Sequence, residues 1–191
     1  MIKGAFCIFI VGMLALGLHY TGFIRLFSEN KDLASNNDSS SWNPSPPPQI
    51  TIKDLKGKDF SLESLKGKPV ILNFWASWCP PCRKEFPELI STVERFKGNV
   101  TLLAISNDSS KKDMEGFLDN LKREGLNLHN KNIYILWDSE LEVSKKFNVA
   151  KWPETFILDQ NLQIVKKQAG VFSLEEIEPF IFELISNKTL Q

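Results

Sequence analysis

Two cysteines stand three residues apart where a strand pattern changes into a helix pattern. The near-continuous apolar run of residues 69–76 is typical of a central strand covered on both faces. It ends directly before Trp78-Cys79-Pro80-Pro81-Cys82, after which apolar residues recur at helical spacing as far as Phe96. The Cys-x-x-Cys pair therefore opens a helix behind a buried strand, and this placement constrains both the fold and the chemistry.

A Cys-x-x-Cys pair is consistent with half of a zinc site or with a redox-active disulfide. Zinc needs two further ligands, and the chain offers only two histidines, His19 and His129. A helix N-terminus, by contrast, stabilises a thiolate through its backbone N–H groups and its dipole. We therefore expect no metal and no separate cofactor, only a redox-active disulfide between Cys79 and Cys82.

The position of each cysteine in the helix predicts its role. Cys79, at the N-terminus, is expected to be exposed and to attack a substrate disulfide. Cys82, one turn later and pointing inward, is expected to resolve the mixed disulfide. Pro80 and Pro81 lack backbone N–H groups, so two potential donors to the Cys79 sulfur are missing. We therefore expect a weakly stabilised thiolate and a reducing pair that donates electrons.

The N-terminal quarter of the chain separates into an apolar segment and a polar linker. Residues 4–24 contain no charge, and about 20 such residues suffice for a membrane-spanning helix. A cleaved signal peptide would need only the apolar core of residues 5–18. We favour an uncleaved signal-anchor over residues 1–25, and either alternative sends the chain into the export pathway. Residues 26–48, rich in Ser, Asn and Pro, are expected to form a linker.

The remainder, residues 49–188, has the pattern of one α/β domain. A short hairpin precedes alternating strands and helices, and a second hairpin and a last helix follow them. This order predicts a parallel core within a mixed sheet. The segment Ser139-Glu140-Leu141-Glu142 is predicted to cap a short helix. Residues 106–112, which include Asp108, are interpreted as a solvated loop.

Composition excludes several functions. The 23 basic and 23 acidic residues cancel, which argues against a nucleic-acid partner. The apolar content of 42% is enough to build a core and rules out wholesale disorder. Three cysteines are too few for a small domain held together by disulfides.

The segment from Asn73 to Pro87 resembles the active-site segment of thioredoxin-like proteins of the TlpA/ResA/CcmG (DsbE) group. That group consists of membrane-tethered, extracytoplasmic thiol–disulfide oxidoreductases. The resemblance covers about residues 49–188 and implies a thioredoxin-like α/β fold, with a mixed central sheet flanked by helices and an N-terminal hairpin extension. It also implies a single span in the cytoplasmic membrane, a catalytic domain on the periplasmic side, and a membrane dithiol as electron donor.

The resemblance includes a second segment, residues 149–156. It implies that Pro153 is cis and lies opposite the cysteines, where it would expose the Trp152 backbone to a substrate strand. Glu85, three residues after Cys82, matches a glutamate of the group. Because residues three apart share a helix face, Glu85 is expected beneath Cys82, where it could carry the proton of that cysteine.

Contacts with the substrate are expected from residues around the cysteines. The predicted substrate-binding residues are Trp78, Pro80, Pro81, Trp152 and Glu154. Trp78 is expected to line the contact surface, and the bulky Trp152 to restrict or favour particular substrates. Glu154, in Pro-Glu-Thr, resembles a second acid of the cytochrome c maturation members. It favours oxidised apocytochrome c, or its chaperone, as the client.

Three alternatives are left open. The first is the same chemistry on another envelope client. The second is a peroxidase on this fold, which would need a Pro-x-x-x-Thr-x-x-Cys loop where Trp78-Cys79-Pro80-Pro81-Cys82 stands. The third is a metal-transfer module, for which His129 is the candidate additional ligand.

One residue of the active-site segment departs from thioredoxin. Asn73 stands where thioredoxin carries an aspartate.

Overall fold

The computed structural model of the chain describes residues 44–187. Within this range five strands form a central sheet in the order β5-β4-β3-β6-β7, and a separate two-stranded hairpin precedes it. The strands are β1 (Ile52–Lys53), β2 (Asp59–Phe60), β3 (Val70–Trp75), β4 (Thr101–Ser106), β5 (Ile133–Trp137), β6 (Glu154–Leu158) and β7 (Ile164–Ala169). The helices are α1 (Pro80–Arg95), α2 (Lys111–Arg123), α3 (Glu142–Lys146) and α4 (Leu174–Asn187), with a 3₁₀ turn at Leu62–Leu65.

The sheet is mixed, with β3 at its centre. Strands β3, β4 and β5 pair in parallel, and β6 pairs antiparallel with both β3 and β7. The predicted parallel core with a terminal hairpin is therefore confirmed. All six residues of β3 are buried, because helices or loops cover both faces of the sheet. The end of β3 leads the chain directly to the cysteines.

Successive residues of β3 contribute to two separate halves of the core. Trp75 packs with Phe86 and Phe117, at ring-centroid distances of 4.4 and 5.4 Å. The preceding residue, Phe74, packs with Phe147 at 5.4 Å. The first cluster lies under α1, α2 and α4, and the second under α3 and the chain that precedes β3. The alternation of a strand thus places Trp75 on the face that α1 covers.

The short helix α3 is capped differently from the prediction. Leu141 occupies the N-cap position in the left-handed region, at φ 58°, and its side chain makes no capping hydrogen bond. The Asp138 carboxylate instead accepts hydrogen bonds from the backbone N–H groups of Val143 (3.3 Å) and Ser144 (2.9 Å). The predicted box from Ser139 to Glu142 is therefore wrong, because the carboxylate just after β5 reaches the free N–H groups first.

The domain begins before the predicted boundary at residue 49. Ser45 and Ile164 exchange two backbone hydrogen bonds, of 3.2 and 2.8 Å, beside the edge strand β7. Pro47 and Pro48 are half-buried. The last residues assigned to the linker therefore pack on the domain.

The predicted signal-anchor over residues 1–25 lies outside the described residues, as does most of the predicted linker. Among residues 44–187, none of the helices combines the length and the apolar character needed to cross a membrane.

Candidate active site

Cys79 and Cys82 form a disulfide at the N-terminus of α1, with Cα atoms 5.3 Å apart. Cys79 is the N-cap residue, and its Sγ accepts a hydrogen bond from the Cys82 N–H at 3.3 Å. Pro80 and Pro81 fill the two positions between them and have no N–H to donate. Pro80 and Pro81 therefore donate no hydrogen bond to the Cys79 sulfur, as predicted. The backbone N–H of Cys82 donates one instead.

Cys79 is far less accessible than predicted. The residue is 4% exposed, against 1% for Cys82, and both belong to the cluster that contains Trp75 and Phe86. The inward position of Cys82 is confirmed. The expected exposure of Cys79 is wrong for this disulfide form, because the bond ties its sulfur to the buried Cys82.

Glu85 is a buried carboxyl group one turn after Cys82 on α1. Its Oε1 accepts a hydrogen bond from the Phe172 N–H at 3.0 Å, and its buried Oε2 has no hydrogen-bond partner among the described residues. Burial raises the pKa of Glu85 to about 7, against the opposing effect of the Phe172 hydrogen bond. A carboxyl group that titrates near neutrality can both give and accept a proton.

Trp152 and Pro153 are joined by a cis peptide bond, as the resemblance implies. Pro153 comes directly before β6, which runs antiparallel to β3 and places Glu154 opposite Phe74. The cis-proline loop and the start of α1 therefore lie at the same edge of the sheet.

Trp78 and Trp152 lie side by side at this edge. Their rings meet nearly at right angles, with centroids 5.5 Å apart, and Trp78 is 57% exposed. Pro80 and Pro81 are also exposed. Four of the five predicted substrate-binding residues therefore reach the surface next to the disulfide, with Trp152 half-buried.

Glu154 does not share this surface. It is buried, with Oε1 in an ion pair with Lys167 at 2.9 Å and Oε2 accepting the Ala150 N–H at 2.7 Å. Because both oxygens are engaged within the chain, the structure does not support the predicted contact between Glu154 and a client. Glu154 instead ties the loop before Pro153 to β7.

The loop after β4 contains a buried carboxylate where the sequence predicts a solvated loop. Asp108 accepts hydrogen bonds from the Ser77 N–H (3.1 and 3.0 Å), the Ser77 hydroxyl (2.6 Å) and the Ser106 hydroxyl (2.7 Å). The interpretation as a solvated loop is therefore wrong at Asp108, which satisfies polar groups of the bend that precedes the cysteines. Its neighbour Asn107 is also buried and hydrogen-bonded to Trp152. The sequence feature that could have indicated a buried role for these two residues is the polar run directly after a buried parallel strand.

The remaining candidates lie elsewhere. Asn73 is buried and donates a hydrogen bond to the Thr155 hydroxyl at 2.9 Å, which links β3 to β6. His129 lines a cavity beside β5 that neither cysteine lines. Among residues 44–187, no three or more His, Cys, Asp or Glu side chains are grouped so that they could hold a metal ion.

The sheet order, the disulfide at the start of α1 and the facing cis-proline together define a thioredoxin-like thiol–disulfide oxidoreductase. The chain belongs to the AhpC/TSA family, whose family model matches residues 45–167.

The relatives agree with this class. The chain is 31% identical over 172 residues to the thiol-disulfide oxidoreductase ResA of Geobacillus kaustophilus, covering 90% of this chain and 88% of the relative. It is 28% identical over 170 residues to ResA of Bacillus subtilis, covering 88% and 86%. A crystal structure of a thioredoxin-family thiol:disulfide interchange protein from Chlorobium tepidum matches the fold with a TM-score of 0.62 at 24% identity, covering 75% of this chain and 97% of that chain. The predicted resemblance and fold are confirmed.

Proposed function

We propose that this protein reduces disulfides of protein clients on the outer side of the cytoplasmic membrane. The observation that carries the proposal is the buried Glu85 carboxyl group, which follows the Cys79–Cys82 disulfide on α1 and has one oxygen without a partner among the described residues. Such a group can supply or remove the proton of the resolving thiol. The two prolines favour the reducing direction, because they withhold N–H groups from the Cys79 thiolate.

Two thiol exchanges account for the reaction. In the reduced protein the Cys79 thiolate attacks one sulfur of the client disulfide, and the other client sulfur leaves as a thiolate and takes up a proton. Cys82 gives its proton to the ionised Glu85 and attacks Cys79 Sγ. The second client thiolate leaves, and the Cys79–Cys82 disulfide forms. Two electrons pass from the protein to the client, and a membrane dithiol donor restores the reduced pair.

The proposed location of the protein and its proposed client come from the sequence and from its resemblance to the TlpA/ResA/CcmG (DsbE) group. A signal-anchor over residues 1–25 would hold the domain at the outer face of the cytoplasmic membrane, within reach of that donor. Oxidised apocytochrome c or its chaperone is the proposed client. This choice depends on the family resemblance alone, since Glu154, which favoured it, is paired with Lys167. Another envelope protein is the alternative client.

A Cys82→Ser variant of the full-length chain tests the proposal. Without the resolving thiol, Cys79 should retain its client as a mixed disulfide, which mass spectrometry after non-reducing purification would identify. The matched control is Cys79→Ser with Cys82 intact, which lacks the proposed nucleophile and should accumulate much less adduct. If Cys82→Ser forms no adduct while Cys79 still reacts with an alkylating reagent, the exchange mechanism is wrong.

A further inference from the structure

Two indole rings, of the exposed Trp78 and the half-buried Trp152, form an aromatic surface beside the disulfide. Trp78 precedes Cys79 and Trp152 precedes cis-Pro153, and their centroids lie 5.5 Å apart at an interplanar angle of 75°. We call this pair the tryptophan wall. An exposed ring such as that of Trp78 contributes little to the core, and aromatic side chains are enriched where proteins bind one another.

Asn107 holds one side of the tryptophan wall. The Trp152 indole N–H donates a hydrogen bond to Asn107 Oδ1 at 2.6 Å. A tryptophan side chain has two rotatable bonds, so a fixed acceptor at its ring nitrogen selects one ring orientation. Asn107 therefore controls how the Trp152 ring meets Trp78.

Asn107 is itself fixed by a buried network. The Ser144 hydroxyl donates to the same Asn107 Oδ1 at 2.9 Å, and Asn107 Nδ2 donates to Asp138 Oδ2 at 3.4 Å. All three residues are buried. Because both ends of the Asn107 amide have partners, it could not turn away from Trp152 without leaving buried polar groups unpaired.

We propose that Asn107 is a positioning residue for client recognition, because it keeps the tryptophan wall formed before a client arrives. The inference rests on the proposed function, since it names the class of client that the same site accepts. A pre-formed pair of indoles favours an extended client segment whose residue next to the reactive cysteine is aromatic or large and apolar. Asn107 acts through Trp152 and contacts no reacting atom.

The test measures how well the reduced full-length protein distinguishes two peptide disulfides. They differ only in the residue next to the reactive cysteine, which is Trp in one and Ser in the other. The wild type should show the higher kcat/KM for the Trp peptide. Trp152→Phe, which lacks the indole N–H, and Asn107→Ala should each lower the Trp/Ser ratio of kcat/KM by about threefold to tenfold, mainly through KM, as expected for one lost hydrogen bond.

Trp137→Phe is the matched control. Its indole N–H donates to the Asp108 carbonyl oxygen at 2.7 Å, so the substitution also removes an indole hydrogen bond to the loop after β4. Because Trp137 is outside the tryptophan wall, the Trp/Ser ratio should stay at the wild-type value. An equal fall in Trp137→Phe would overturn the proposal, because it would attribute selectivity to the general integrity of this loop.

The double variant decides whether Asn107 acts through Trp152. In the Trp152→Phe background the indole donor is absent, so Asn107→Ala should lower the ratio no further. A second fall of the same size would assign Asn107 a purely structural role and overturn the proposal. An unchanged ratio in both single variants, or a wild-type preference for Ser, would do the same. Failure of the proposed function is distinguishable, because the wild type would then reduce neither peptide while its disulfide still cycled with dithiothreitol.

Discussion

Glu85 makes the stability of the oxidised protein depend on pH. Burial raises its pKa to about 7, whereas the pKa of an ordinary glutamate, and so of Glu85 in the unfolded chain, is about 4.5. Between these values the folded protein retains a proton that the unfolded chain has lost. The stabilisation is therefore complete below pH 4.5 and is lost as the pH rises through 7.

Glu85→Gln should remove this dependence, because an amide does not titrate. Between pH 5 and pH 8 the free energy of unfolding of the oxidised wild type should fall by about 2 to 3 kcal/mol more than that of Glu85→Gln. Urea unfolding at several pH values measures the difference. Glu94→Gln, on the exposed side of the same helix, is the control and should keep the wild-type slope.

The same variant tests the role of Glu85 in proton transfer. If Glu85 removes the Cys82 proton, Glu85→Gln should flatten the change in thiol-exchange rate around pH 7. An unchanged pH–rate profile would show that Glu85 is a buried structural residue and carries no proton for the reaction.

At the residue scale, the sequence predicted what depends on local spacing. The offset of Glu85 from Cys82 was enough to place it on the buried face of a helix. The role of Asp108 could not be predicted, because its partner Ser77 is 31 residues away and the pairing depends on β3 and β4 lying in parallel. The hydrogen bond from Trp152 to Asn107 likewise joins residues that are 45 apart in the sequence, and only the fold brings them together.

At the scale of elements, the start of α3 shows how a local motif can mislead. The box pattern at Ser139 suits a helix N-terminus, but the chain turns through a left-handed Leu141 before the helix begins. This turn brings Asp138, which directly follows β5, to the free N–H groups. The strands and longer helices were predictable because periodic burial specifies them, whereas a cap depends on the path of a few residues.

Asp138→Ala should destabilise the protein much more than Ser139→Ala. The Asp138 carboxylate caps α3 by accepting the Val143 and Ser144 N–H groups and also accepts the Asn107 amide at 3.4 Å, so its loss leaves buried donors unpaired. We expect a loss of about 2 kcal/mol or more from Asp138→Ala. For Ser139→Ala, which removes the predicted cap, we expect less than about 0.5 kcal/mol. Urea unfolding compares the two, and a larger effect at Ser139 would restore the predicted capping box.

At the scale of the whole molecule, the order of elements was predictable and the point where the chain enters the domain was not. Alternating strands and helices followed by a hairpin specify a mixed sheet with few alternatives. The proline-rich end of the linker has the composition of an extended spacer. Ser45 is the residue within 44–48 that retains a backbone N–H, and that group pairs with Ile164 on the edge strand β7. A single such residue leaves no periodic signal in the sequence.

Ser45→Pro tests whether this contact belongs to the domain. Proline removes the N–H that donates to the Ile164 carbonyl oxygen at 3.2 Å, whereas Ser45→Ala keeps it. Since Ser45 also covers part of the exposed edge of β7, we expect Ser45→Pro to lower the free energy of unfolding by about 1 kcal/mol relative to Ser45→Ala. Urea unfolding followed by tryptophan fluorescence measures the difference. Equal stability of the two variants would mean that the cooperative domain begins near residue 49, as the sequence predicts.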